Sequence, residues 1–270
     1  MGTLYVVGTP IGNLEDITLR GLRILGEVSL IAAEDTRRAR VLTEHYGITT
    51  PTTSYFEGNK LARLDAVVAA LAVGDVALIS EAGMPGLSDP GYELIQTAIE
   101  RGHLVVPIPG PTAPATALVV SGLPTDSFLF LGYLPRRQSR RRRRLASVAR
   151  EQHTLIAFEA PHRLRESLAD IEAVLGDRPL TVCREMTKVH EEVCRGTVSE
   201  IRARFDECAP RGEFTLVIGG ATEEEQRWDE DQVRAALSDQ LAGGTRRPEA
   251  ARRVAELSGW DRGEVYKLGI

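Results

Sequence analysis

Twelve positions, Ser80-Glu81-Ala82-Gly83-Met84-Pro85-Gly86-Leu87-Ser88-Asp89-Pro90-Gly91, hold three glycines, two prolines and two carboxylates. Glycine admits φ > 0 and close backbone approach, while proline fixes φ and removes a donor. Such a stretch suits a rigid array of carbonyl oxygens around a polar or cationic ligand better than a phosphate. The plain alternative is a tight strand-to-helix connection, with Ser88 or Asp89 as N-cap and Pro90 at the first helical position. Glu34-Asp35, followed by Thr36-Arg37, is either general-base chemistry or the cap of the next helix. Gly8-Thr9-Pro10-Ile11-Gly12-Asn13 and Pro109-Gly110-Pro111-Thr112-Ala113 are two more loops rich in Gly and Pro. Neither is G-x-G-x-x-G or a P-loop. Thr112 offers its hydroxyl either to a ligand or to a helix cap. Glu159-Ala160-Pro161-His162-Arg163 and Arg184-Glu185-Met186-Thr187-Lys188 bring mixed charges to two further segment ends.

The segments that must position these residues are short apolar runs at 4–7, 28–33, 76–79, 104–108, 128–131, 154–158, 180–183 and 215–218. Each reads as a strand, with helical patterns between several of them. The candidate loops sit at strand ends, where open α/β sheets place their ligands. The fold class is α/β, and 270 residues predict two domains and an appendage. The appendage begins after Glu223-Glu224-Glu225, an acidic linker. Residues 229–268 carry no strand pattern and give short helices broken at Gly243-Gly244 and Gly259, a helix-turn-helix-like module or a plain helical cap.

A composition of 43% hydrophobic and 26% charged residues is that of a soluble globular protein. No apolar run reaches a membrane span, and Met1-Gly2-Thr3 leads into a strand rather than a signal peptide, which predicts a cytoplasmic protein. Cys183, Cys194 and Cys208 are odd in number and lack metal spacing, so neither a disulfide framework nor a metal site is expected. The net charge is -5, yet Arg136, Arg137, Arg140, Arg141, Arg142, Arg143 and Arg144 fall within nine residues. That run is either a phosphate-binding surface or a solvated basic helix face.

Six pieces in order, Gly8–Asn13, Ala33–Arg37, Ser80–Gly91, Pro109–Ala113, Phe158–Arg163 and Arg184–Lys188, resemble the bacterial ribosomal RNA small-subunit methyltransferase I family, of the tetrapyrrole methylase-like fold. The resemblance covers about residues 4–220, more weakly the helical tail. It implies two α/β domains with an S-adenosylmethionine cleft between them, divided as 1–117 and 118–221, and a helical tail at 222–270. It also implies a homodimer and 2′-O-methylation of a cytidine ribose in the decoding region of 16S rRNA in the small subunit. Tetrapyrrole-methylating relatives carry Val-Gly-x-Gly-Pro-Gly in the first loop and Gly-Asp-Pro in the central one. Val7-Gly8-Thr9-Pro10-Ile11-Gly12 and Gly83-Met84-Pro85 depart from both, which favours the RNA branch.

Carried over by position, Pro10, Gly83, Met84, Leu87, Thr112, Ala113, Thr215 and Leu216 are expected around the cofactor. Candidate bases for the 2′-hydroxyl are Glu34, Asp35, Glu81, Asp89 and Glu159. Lys188, Arg37 and Arg163 are expected to position phosphate or ribose, and the arginine run with His162 to meet RNA. Two rivals stand beside this reading. A small-molecule methylase on the same fold leaves residues 136–144 without a purpose. A non-catalytic RNA-binding assembly factor leaves the strand-end loops unexplained.

Overall fold

The computed structural model describes residues 2–222 and 228–268, so the acidic run Glu223-Glu224-Glu225 lies outside the described residues. The first half runs β1 (Thr3–Val7), α1 (Leu19–Glu27), β2 (Leu30–Ala33), α2 (Thr36–His45), β3 (Thr52–Ser54), α3 (Lys60–Val73), β4 (Val76–Ile79), α4 (Tyr92–Glu100), β5 (Leu104–Ile108) and α5 (Ala113–Ser121). Its strands form one parallel sheet in the order β3-β2-β4-β1-β5. Parallel strands are joined by helical crossovers that cover both faces, and β4 accordingly buries all of Val76, Ala77, Leu78 and Ile79. Ala77 and Ile79 pack with Leu25 and Ile31 on one face, and Val76 and Leu78 with Val68 and Leu71 on the other. Strand β3 was not among the expected strands, because Thr52-Thr53-Ser54 shows no apolar pattern.

The second half runs β6 (Phe128–Tyr133), α6 (Gln138–Ala146), β7 (Thr154–Glu159), α7 (Leu164–Leu175), β8 (Pro179–Arg184), β9 (Glu192–Thr197), α8 (Val198–Glu207) and β10 (Phe214–Ile218). The sheet order is β6-β7-β10-β8-β9, with β6 and β7 parallel and the remaining pairs antiparallel. One face packs Ala157, Val182 and Leu216 under Leu145, Leu164, Leu168 and Ile201. The other face receives α5, whose Ala117 and Leu118 meet Ile156, Cys183 and Val217. The division expected at residue 117 thus falls inside α5, which belongs by sequence to the first sheet and by packing to the second.

The tail forms α9 (Glu230–Ala242), α10 (Arg247–Ser258) and α11 (Arg262–Lys267) around its own small core of Val233, Leu237, Ala250, Ala251, Val254 and Val265. Asp229 and Gln232 make a capping box at the start of α9, and Gly259 ends α10 in the left-handed conformation, φ +69°. The expected glycine breaks fall between these helices.

Candidate active site

The loops after β1, β4 and β5 converge because those strands are neighbours. Thr9 donates its backbone N–H to the Gly83 carbonyl at 2.9 Å, and Gly83 returns the bond at 3.0 Å. Gly83 reaches that position with φ +84°, a conformation that costs glycine little. On the other flank, Gly8 and Gly110 meet backbone to backbone: a Cβ on Gly110 would stand 2.8 Å from the Gly8 carbonyl oxygen.

Opposite these loops, Phe158, Thr215 and Cys183 stand in register across β7, β10 and β8. Residues directly opposite share a face, so the three form one row along the wall of a cavity of about 350 Å³ between the two halves. Sites for small molecules commonly enclose roughly 300–1,000 Å³. Gly83, Met84, Leu87, Thr112, Ala113 and Thr215, all expected at the cofactor, line it. Thr112 makes no side-chain cap bond at the start of α5, which leaves its hydroxyl to the cavity. Pro10 lines an adjoining cavity instead, with Gly12, Arg38 and Lys188. The expectation for Leu216 is corrected: strand alternation turns it to the opposite face, where it is fully buried in the core under α6 and α7.

Three candidate carboxylates, Glu34, Glu81 and Asp89, line the main cavity. Glu34 accepts the Glu81 backbone N–H at 3.1 Å. Burial, against the pull of that hydrogen bond and joined by the charges of Glu81 and Asp35, raises the Glu34 carboxyl above its usual range. Asp89 is displaced further, to about 7, by burial first and by the charge of Glu34, with a Ser80 hydrogen bond opposing and Glu81 adding. Neither Ser88 nor Asp89 caps α4: the cap residue is Gly91, at φ +147° and without a side-chain bond. Asp35 does cap α2, accepting the Arg37 backbone N–H at 2.7 Å. Hydrogen bonds from the Arg37 side chain and backbone hold its carboxyl down at about 2.

Glu159 is drawn out of the cavity. It is 1% exposed, accepts the Ala160 N–H at 2.7 Å, bonds the Ser167 hydroxyl, and pairs with Arg163 at 2.6 Å. Those partners fix the turn into α7 and correct its expected role as a base. Arg163 is equally occupied, donating also to the Leu134 carbonyl at 2.9 Å. Lys188 bridges Glu185 at 3.1 Å and Glu213 at 2.9 Å. Burial lowers its pKa, and the two carboxylates outweigh that and hold it above the ordinary lysine range.

The arginine run divides by helical face. Arg141 points inward with Leu145, has no exposed side chain, and donates to Asp170 at 2.7 Å, which is itself fully buried. It faces no solvent, which corrects its expected place among RNA contacts. Arg142 also pairs with Asp170, at 2.6 Å, from a half-exposed position. Arg136, Arg137, Arg140, Arg143 and Arg144 are exposed, and among the described residues their side chains make no ion pair. His162 and Arg37 are exposed as well.

The cavity also gathers residues that sequence reasoning did not single out: Ile11, Ser88, Pro114, Tyr133, Phe158, Cys183, Glu185, Met186, Glu213 and Phe214. Several lie in segments quoted above. Tyr133 and Glu213 carried no signal, since their place depends on strand register. Among the described residues no cluster of His, Cys, Asp and Glu could hold a metal ion, and no helix is long and apolar enough to cross a membrane.

The profile of the Tetrapyrrole (Corrin/Porphyrin) Methylases matches residues 3–202. A Synechocystis protein named ribosomal RNA small subunit methyltransferase I is 46% identical over 273 residues, covering 100% of this chain and 98% of its own. A Thermotoga maritima protein of the same name is 48% identical over 221 residues, 82% of this chain and 99% of its own length. The solved uroporphyrin-III C-methyltransferase of Thermus thermophilus, complexed with S-adenosylhomocysteine, shares the fold with a TM-score of 0.57 at 18% identity, over 81% of this chain and 97% of that one.

Proposed function

The chain belongs to the ribosomal RNA small subunit methyltransferase I family within the tetrapyrrole methylases, and from that premise we propose that it methylates the 2′-hydroxyl of a cytidine ribose in 16S rRNA, with S-adenosylmethionine as donor. The observation that carries the proposal is one cavity lined by carboxylates of both halves with an arginine-bearing groove beside it, Tyr133 belonging to both.

The residues present fit the cofactor. Gly83, with no side chain, and Thr112-Ala113 leave the first-half wall open to a ligand, Met84 and Leu87 give it apolar contact, and Glu34, Glu81 and Asp89 set a negative field suited to a sulfonium. When bound, S-adenosylmethionine supplies a methyl group on positive sulfur and leaves as a neutral thioether. The chain's part is to hold the ribose oxygen in line with that methyl group, an orientation worth up to about 7–11 kcal/mol in favourable systems. Asp89 would accept the proton of the 2′-hydroxyl as that oxygen is methylated. A carboxylate poised at about 7 is half ionised near neutrality, where a base is most effective. Glu34 and Glu81 keep it poised through their charge. The exposed arginines bind flanking phosphates. A homodimer, a cytoplasmic location, the decoding region and the assembled small subunit as substrate belong to the same proposal and rest on the family resemblance.

The test is transfer of labelled methyl from S-adenosylmethionine to small subunits and to free 16S rRNA from cells lacking the protein, followed by nucleoside analysis. A 2′-O-methylated cytidine is expected. Cofactor binding without labelled RNA would turn the reading toward a small-molecule acceptor, and absence of cofactor binding would end it.

A further inference from the structure

Strand β6 does not pair evenly with β7. Its register runs Phe128 to Thr154 through Phe130 to Ile156, then slips so that Tyr133 faces Phe158. The slip occupies Leu131-Gly132, with Gly132 at φ +68° and its Cα face toward Ser88, whose Oγ lies 3.4 Å from where a Cβ would stand. A bulge of this kind re-aims the side chain that follows it. Tyr133 is set against the Phe158 ring at 5.3 Å between centroids, and Phe130 braces the same ring edge-on at 5.1 Å. Yet Tyr133 itself is 57% exposed.

Tyr133 stands between two spaces. On one side it lines the main cavity with Asp89 and Thr215. On the other it opens a groove with Leu134, Pro135, Arg136, His162 and Arg163. Arg163 is fixed by Glu159 and the Leu134 carbonyl and stiffens the groove wall. Arg136 and His162 are exposed, and Arg137 and Arg140 continue the positive face toward α6. Partial burial, with the charges of Glu213, Asp89 and Glu159 and against that of Arg163, pushes the phenol above its usual range.

We propose that Tyr133 is the platform on which the base of the acceptor nucleotide stacks, with the adjoining phosphates in the groove at Arg136 and His162. The inference rests on RNA being the substrate. A ribose reaches an enclosed cavity only when its nucleotide leaves the neighbouring stack, and an exposed, braced aromatic face replaces the stacking that is lost. The position beside Asp89 puts the sugar of a nucleotide stacked there next to the proposed base, and the groove gives its flanking backbone a cationic exit.

The experiment compares wild type with Tyr133→Ala, Tyr133→Phe and Tyr133→Trp, measuring KM and kcat for the rRNA substrate and, separately, S-adenosylmethionine affinity by calorimetry. Tyr133→Ala is expected to raise the RNA KM by about 10–100-fold, the usual scale of one lost base–aromatic stack, with cofactor affinity unchanged. Phe and Trp are expected to restore RNA affinity, since each keeps a π face. Unchanged cofactor affinity also reports that Tyr133→Ala is folded. An unaltered RNA KM in Tyr133→Ala, or failure of Phe and Trp to rescue, overturns the stacking role while leaving the enzyme reading intact. Wild type that labels no RNA overturns both.

Discussion

At Asp89, one carboxyl group carries opposed demands. Its pKa of about 7 in the fold lies above the 3.8 of a free side chain. The stabilisation of its protonated form is therefore complete below about pH 4 and is lost as pH rises through 7. Above that, the fold holds an anion beside Glu34 and Glu81 at a cost in stability. Asp89→Asn is expected to lower kcat by about 10²–10⁴-fold and to abolish the rise of rate through neutral pH, read from a pH–rate profile. The same variant is expected to be more stable than wild type at pH 8, by about 1 kcal/mol after allowing for solvent screening, and equal to it near pH 4, as chemical denaturation will show. Asp89 was visible in the sequence because its loop is dense in glycine, proline and charge. What the sequence could not show was which carboxylate is buried. Asp35 and Glu34 are neighbours, yet the start of α2 takes one as its cap and the cavity takes the other.

Among the elements, α6 shows how identical residues divide. Its arginines are indistinguishable in sequence, and the inward position of Arg141 is fixed by the helical spacing to Leu145 and by Asp170, far along the chain on α7. Burial raises the Asp170 carboxyl, and hydrogen bonds from Arg142 and Arg141 overcome that and hold it below the usual range. Asp170→Ala leaves a guanidinium buried without its main partner and is expected to cost about 3–5 kcal/mol in denaturant unfolding. Arg140→Ala, on the exposed face, is expected to stay within about 0.5 kcal/mol. Its effect belongs instead to RNA binding. Each exposed arginine of the run that meets a phosphate is expected to contribute about 0.7 to the slope of log affinity against log salt, so Arg140→Ala flattens that slope by this much. The eight expected strands are all present because each run is predominantly apolar. Strand β9 went unread since Glu192-Val193-Cys194-Arg195-Gly196-Thr197 mixes charge with glycine and is a strand by virtue of pairing with β8. The same is true of Tyr133, whose exposure follows from a register slip that no local pattern announces.

Over the whole molecule, two sheets share one cavity and the tail stands apart on its own core. The Thermotoga relative matches 82% of this chain with 99% of its own, so about a fifth of this chain has no counterpart there, a fraction close to that of the tail. A chain ending at Thr222 keeps the Ala221 N–H bond to the Glu151 carbonyl and every cavity residue. It is expected to retain cofactor affinity in calorimetry and to lose one unfolding transition in a thermal scan. The α/β class was legible from the alternation of strand-like apolar runs with helical patterns. The placement of α5 was not, because its apolar residues would serve either sheet, and three-dimensional packing alone assigns them to the second. The reciprocal bonds between Thr9 and Gly83 have a consequence for engineering. Loops joined in this way depend on each other: transplanting the central loop of a tetrapyrrole-methylating relative into this chain is expected to call for that relative's first loop as well, and a chimaera given one without the other keeps half a clasp.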